Sequence, residues 1–265
     1  MILPKSEQDR INDIVDGLRF IDDTCFNQVF DHNLKGTSVL INAALERDDI
    51  EIVKAKTQYA VPNIAGKSVV LDLHASDTKG RVYGVEAQQS DKGAIALRAR
   101  YYAGMIDQIT LKKGKEYKEL PESHLIFLCE HDVLETGRSH CLIERGILKT
   151  ERSFGDCQHI TYVNAEVKDG SRVSDLMHDL FETDYRKMII PELAEMMKNL
   201  KEGNGREKMC EIVEAYARER EAKGKLLEQT NIVTRMLQKG MSETVVADLT
   251  GIALSKVKEI ALSLA

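Results

Sequence analysis

Two strand-like runs joined by a three-residue turn constrain this chain more than anything else in it. Lys67–His74 (Lys-Ser-Val-Val-Leu-Asp-Leu-His) and Arg81–Gln88 (Arg-Val-Tyr-Gly-Val-Glu-Ala-Gln) are rich in β-branched and apolar residues. Between them Asp77-Thr78-Lys79-Gly80 supplies a tight turn with Gly80 at the left-handed position. That turn pairs Asp77 with Arg81, and the same register sets Asp72 directly across from Glu86 on one face of the ribbon. Opposed residues have Cβ atoms about 4.5–5.5 Å apart. Two carboxylates so close repel unless a cation lies between them or one is protonated. Their oxygens suit a hard divalent ion, Mg²⁺ or Mn²⁺, which can polarise a phosphoryl oxygen and acidify a bound water. Gln88, two residues beyond Glu86, projects from the same face, where its amide could orient water or phosphate. Geometry alone favours the plainer reading, two solvent-facing carboxylates of an ordinary hairpin.

The rest of the chain frames this ribbon. Residues 1–60 read as mainly helical. Phe26, Val29 and Phe30 form one stripe, and Val39, Leu40, Ala43, Ala44 and Leu45 form another that ends at Glu46-Arg47-Asp48-Asp49. Ile50–Ala55 alternates as a short strand. Ala94–Leu111 is helical, and the unbroken apolar run Leu125–Cys129 predicts a buried central strand. Residues 130–155 read as loop-rich with one or two short strands, and His159–Glu166 alternates again. From Ser174 onward the pattern is helical, with a break at Gly203-Asn204-Gly205. This gives a division into residues 1–200 and a helical tail, 201–265.

Taken in order, these pieces resemble the PD-(D/E)XK nuclease superfamily, whose core runs helix, three strands, helix, strand. The closer resemblance is to the bacterial Rpn-type recombination-promoting nucleases, also called PD-(D/E)XK family transposases. It rests on Asp23-Thr-Cys-Phe-Asn-Gln-Val-Phe-Asp31, on Leu71-Asp-Leu followed by Gly80 and Val85-Glu-Ala-Gln88, on Arg98 with Tyr101-Tyr102, on Gly114 with Tyr117, and on Leu125-Ile-Phe-Leu. The resemblance covers roughly Asp22 to Asp175. It implies an α/β restriction-endonuclease-like fold with a helical C-terminal extension, and Mg²⁺- or Mn²⁺-dependent endonuclease action on double-stranded DNA. Asp72 and Glu86 become the metal ligands and catalytic carboxylates. Gln88 stands where the superfamily has Lys, which removes a positive charge from the transition state. Arg98 and Arg100 are candidate phosphate contacts, Arg100 reading equally as a solvated basic face. Glu46 matches a position where some members add an acidic ligand, against a plain helix-end charge. His74 could assist as a neighbouring base or be an ordinary polar strand end, and Tyr102 reads as core sooner than ligand.

Composition excludes other classes. Five cysteines, an odd number with no Cys-x-x-Cys spacing, read as reduced packed thiols and not as a zinc site or disulfide framework. The histidines are scattered without helical i, i+4 pairing. No Walker loop, Gly-x-Gly-x-x-Gly or Gly-x-Ser-x-Gly occurs. The charged start and short apolar runs predict no secretory signal and no membrane span, hence a cytoplasmic protein. A net charge of −6 opposes DNA binding at first sight. Residues 78–118, however, hold nine basic against four acidic side chains.

The tail carries one further pattern. Ala247, Gly251 and Val257 fall at the spacing of a helix-turn-helix, with Ser242 and Ser255 as N-caps and Lys256 and Lys258 on the second helix. The same residues fit a helical hairpin that packs on the core or makes a homodimer. The second functional expectation is therefore a catalytically weak nuclease-fold protein acting by DNA binding or self-association through this tail.

Overall fold

The structure is a computed structural model that describes residues 6–89 and 93–263. It divides into two units, one spanning Asp13–Arg206 and the other gathering the chain from Glu207 onward with the residues up to Asn12. The elements in order are α1 (Glu7–Gly17), α2 (Asp23–Phe30), α3 (Leu34–Ala44), β1 (Ile52–Val61), β2 (Val69–Asp77), β3 (Val82–Gln88), α4 (Ala96–Thr110), β4 (Ser123–Cys129), β5 (His140–Ile143), β6 (Gln158–Asn164), α5 (Arg172–Phe181), α6 (Pro191–Lys201), α7 (Gly203–Gln238), α8 (Glu243–Thr250) and α9 (Leu254–Ser263).

The larger unit is a mixed α/β fold built on a six-stranded sheet in the order β1-β2-β3-β4-β6-β5. β1, β2 and β3 are antiparallel neighbours, whereas β3, β4 and β6 run parallel. The parallel step from β3 to β4 needs a crossover, which α4 supplies. Every residue of β4 is buried, as its unbroken apolar run predicts for a central strand. Leu71, Val82, Leu125 and Phe127 pack in one cluster with Ala99, Ala103 and Ile106 of α4. Gly84 makes this fit possible: a Cβ there would lie 2.8 Å from Ile106 Cδ1. On the other helices, α2 and α3 contact β1, and α5 contacts β6.

The hairpin register is the expected one. Leu73 pairs with Val85 and His74 with Gly84, Asp77 N–H donates to the Arg81 carbonyl at 3.2 Å, and Gly80 has φ +79°. Asp77 anchors the turn. Its buried carboxylate accepts from Arg81 Nε at 2.6 Å, Tyr83 Oη at 3.0 Å and the backbone N–H groups of Lys79 and Arg81, each at 2.9 Å.

One strand differs from expectation. β1 is ten residues long, not the short Ile50–Ala55. Its burial does not alternate cleanly, and Gln58 has φ +46°, so the period-2 signal fades halfway along. β5, a short strand as expected within residues 130–155, is a four-residue edge strand whose register comes from its partner β6.

In the smaller unit, Val233 of α7, Val246 of α8 and Val257 and Ile260 of α9 form a separate core, with Ala247 and Ile252 packed against it. Gly251 takes the left-handed conformation between α8 and α9, with φ 68°. Ser242 is the N-cap residue of α8, but α9 begins at Leu254, so Ser255 lies inside its first turn and is not its cap. Among the described residues, no helix is long and apolar enough to cross a membrane.

Candidate active site

Asp72 on β2 and Glu86 on β3 meet near the carboxyl end of the parallel strands, where α/β sheets generally hold their ligands. The Asp72 N–H donates to Glu86 Oε1 at 3.3 Å, and the Ala87 N–H donates to Asp72 Oδ2 at 2.9 Å. Each carboxylate is thus held by the backbone of the strand that carries the other. Glu86 is fully buried and Asp72 half-buried. Burial raises the Glu86 carboxyl to about 8, with the Asp72 charge adding to the rise and Arg98 opposing it. Burial also raises Asp72, and the charge of Asp23 at the start of α2 adds to it, against the Ala87 N–H bond.

The positive charge comes from α4. Arg98 Nη2 pairs with Glu86 Oε2, while Nη1 donates to Gln88 Oε1 at 3.0 Å and to the Gly93 carbonyl at 2.9 Å. The guanidinium lies 4.6 Å from the centroid of the Tyr102 ring, one turn further along the helix. Gln88 is therefore engaged at both ends, because its Nε2 donates to the Ala87 carbonyl at 3.0 Å. It holds Arg98 beside Glu86, with its amide nitrogen turned to its own chain.

Gly93 allows this clamp. A Cβ at that position would stand 1.7 Å from Gln88 Oε1 and 3.2 Å from Arg98 Nη1. Gly93→Ala is expected to push the Gln88 amide off Arg98 and reduce turnover by about 10–100-fold, the usual cost of losing a residue that orients a functional group. Thermal melting should stay near the parent value, because only the end of a flexible side chain must move. A variant with parental turnover would show that the clamp is dispensable.

Two residues that are not among the expected site residues, Gln58 and Asp23, reach Asp72. Gln58 Nε2 donates to Asp72 Oδ1 and to Asn27 Oδ1 of α2, each at 3.4 Å. Gln58 does so from the left-handed region. A non-glycine residue there costs of order 1–3 kcal/mol and persists where its surroundings enforce it, commonly at functional sites. Asp23 acts on Asp72 through its charge. The Asp23–Asp31 segment that carries the family resemblance is the helix that brings both partners in, and Asp31 Oδ1 accepts the Thr57 N–H at 3.1 Å to dock it on β1.

The remaining candidates lie elsewhere. His74 stacks on Tyr59, with ring centroids 4.4 Å apart, and lines a cleft with Leu34, Lys54 and Ser76 away from the carboxylates. Glu46 is exposed at the end of α3, in a loop tied to the hairpin turn through Asp49, which pairs with Lys79 and Arg81. That turn is five residues along the strand from Glu86, about 16 Å. Neither residue joins the cluster. Of the nine cations in residues 78–118, Lys79, Arg81, Arg98, Lys115 and Lys118 are ion-paired. Lys92 lies outside the described residues, and among the described ones Arg100, Lys112 and Lys113 remain exposed and without an ion pair. The basic stretch is thus narrower than its count suggests. In the smaller unit Lys256 pairs with Glu259 at 2.8 Å, and Lys258 is exposed.

A mixed sheet with three antiparallel strands, a crossover helix and a parallel fourth, bearing an Asp and a Glu on adjacent strands, defines a PD-(D/E)XK nuclease-like protein. A family model for PD-(D/E)XK nuclease family transposases matches residues 21–225, and the chain belongs to that family. The match ends within α7, short of α8 and α9. No curated protein and no solved structure gives a significant match.

Proposed function

We propose that this chain is a metal-dependent endonuclease that hydrolyses phosphodiester bonds in double-stranded DNA during recombination or the movement of mobile elements. The observation that carries the reading is the Asp72–Glu86 pair. Among the described residues these carboxylates, together with Asp23, outnumber the one guanidinium that reaches them, and every donor in the pair is a carboxylate oxygen. That is the donor set and charge a hard divalent cation fits. Asp72 and Glu86 would hold Mg²⁺ or Mn²⁺, which when bound supplies charge stabilisation and a more acidic water.

The protein's own groups do the rest. Arg98 places a fixed positive charge beside Glu86, where it can meet the charge developing on a phosphate in a partly desolvated setting. It does so from α4, and Gln88, at the position where the resemblance has Lys, positions it. Tyr102 buttresses the guanidinium. Arg100, Lys112 and Lys113 give the phosphate backbone an exposed basic approach, so binding is expected to be weak without divalent metal and to fall steeply with salt.

The test is nicking of supercoiled plasmid in Mg²⁺, with and without EDTA, by the parent and by Asp72→Ala. Loss on the order of 10³-fold is expected for the variant, by analogy with the removal of one transition-state stabilising group elsewhere. Cleavage that survives Asp72→Ala overturns the assignment.

A further inference from the structure

The sheet brings a second set of metal-type donors together, on the face opposite Glu86 and nearer the amino ends of the parallel strands. Sequence spacing reads the histidines as scattered, but the parallel register sets His124 of β4 directly beside His159 of β6, with Tyr83 of β3 on the other side of His124. The rings stack in series: 5.2 Å between the centroids of Tyr83 and His124, and 4.7 Å between those of His124 and His159. Glu122, two residues before His124, turns its carboxylate onto both imidazoles. Its Oε1 lies 2.9 Å from His124 Nε2 and 3.7 Å from His159 Nε2. The three ligand atoms all lie within 4.8 Å of one another.

The antiparallel edge adds the support. β5 ends at Ile143, opposite Ile160, so the next residue, Glu144, falls opposite His159. Glu144 Oε1 lies 2.6 Å from His159 Nδ1. A carboxylate on the far nitrogen fixes the tautomer that leaves Nε2 free to bind metal, the usual arrangement behind a metal-ligating histidine. His124 is almost wholly buried, His159 is about one-fifth exposed and Glu122 about one-third, so the cluster is rigid on the sheet side and open on the Glu122 side.

We propose that Glu122, His124 and His159 form a binding site for a borderline-soft divalent transition metal of the zinc class, with Glu144 positioning His159. Zinc bonds of about 2.0–2.2 Å at tetrahedral angles hold their donors roughly 3.4 Å apart. The observed 2.9 and 3.7 Å bracket that spacing. Two imidazoles and one carboxylate select zinc, cobalt, nickel or copper over magnesium, which prefers oxygen alone. The site is therefore chemically distinct from the carboxylate pair. It is also spatially separate: His124 is level with Tyr83, three residues from Glu86 along β3, about 10 Å away and on the other face by strand alternation. An ion there would tie β4, the end of β5 and β6 together at one end of the sheet.

The experiment is a Co²⁺ titration of the full, untagged chain after chelator treatment, followed by visible d–d absorption, with a parallel Zn²⁺ melting series. One equivalent of Co²⁺ should give tetrahedral-type absorption that Zn²⁺ bleaches and Mg²⁺ does not. Zn²⁺ should raise the melting temperature by about 5 °C or more at saturating concentration. Both responses should vanish in Glu122→Gln and in His159→Gln, whose side chains are partly exposed, and persist in Asp72→Ala. Circular dichroism establishes that each variant folds, and either variant alone decides the matter. Absence of the absorption, its survival in either variant or its loss in Asp72→Ala would each overturn the proposal, the last by placing the ion at the carboxylate pair. A hydrogen-bonded cluster that holds no metal gives the first of these results.

Discussion

Glu86→Gln is expected to silence cleavage and, at neutral pH, to make the metal-free protein more stable. The two effects have one cause. Glu86 is fully buried beside another carboxylate, and its carboxyl is raised to about 8 from an ordinary 4.5. The folded state therefore holds a proton that the unfolded state releases over that range. The contribution of this carboxyl to stability falls as pH rises from about 4.5 to about 8 and levels off above, because it holds its proton in the native state throughout that window. The whole penalty amounts to a few kcal/mol, since raising a pKa by one costs the charged form about 1.4 kcal/mol. Glutamine abolishes the charge and with it the slope. It keeps an oxygen for the Asp72 N–H, and Arg98, with its side chain 27% exposed, keeps solvent, Gln88 and the Gly93 carbonyl. Denaturant unfolding in EDTA at pH 5 and pH 8 measures this. The parent should lose stability relative to the variant between the two, since His74 and His124, both lowered to about 4 by burial, weigh equally in each. A variant less stable than the parent at pH 8 would refute the electrostatic account, and one that still cleaves would refute the site. The same protonation means that divalent metal must displace a proton below pH 8, so metal affinity should rise with pH up to that point.

Asp77→Ala should damage the fold severely, at about 3–5 kcal/mol, the usual cost of removing one partner of a buried ion pair. Four donors lose their acceptor at once: Arg81 Nε, the Tyr83 hydroxyl and the N–H groups of Lys79 and Arg81. The Arg81 side chain is only 6% exposed, and its one remaining ion pair is to Asp49, at 3.3 Å. Domains are stable by about 5–15 kcal/mol, so the loss takes a large share. Burial raises the Asp77 carboxyl, but the bonds from Arg81 and Tyr83 outweigh burial and hold it below its ordinary 3.8. Its contribution is therefore present above pH 3.8 and is lost as pH falls through the lower folded value. Urea unfolding of Asp77→Ala and Asp77→Asn against the parent at pH 7 checks it. A loss under about 1 kcal/mol in the alanine variant would mean the turn is held by something else.

The hairpin between Lys67 and Gln88 is where local sequence suffices. Turn chemistry at Gly80 and alternation along both strands fix a register, and register fixes which carboxylates face each other. Leu125–Cys129 is equally legible, since burial on both faces favours a near-continuous apolar run. Glu46 falls away from the site because a helix end has no period that says which end of a sheet it will reach. The Gln88 amide looks free in the sequence because its partner, Arg98, lies a crossover away. Gly93, which makes room for the clamp, looks like any loop glycine in the sequence, because the space a Cβ would need is taken by Gln88 and Arg98 only in the folded chain. Gln58 and Asp23 enter only when α2 docks on β1.

The sequence by itself determined the ribbon, its paired acids and the central strand, because each follows from contacts between residues near in the chain or from a composition that only one environment tolerates. Tertiary structure decided the rest. It chose which cations are spent on ion pairs at the hairpin turn and which one reaches Glu86. It also set His124 against His159, 35 residues apart, through a parallel register that depends on how β3, β4 and β6 line up. Pairing across a crossover is fixed by how whole elements pack, and no local pattern of residues encodes it.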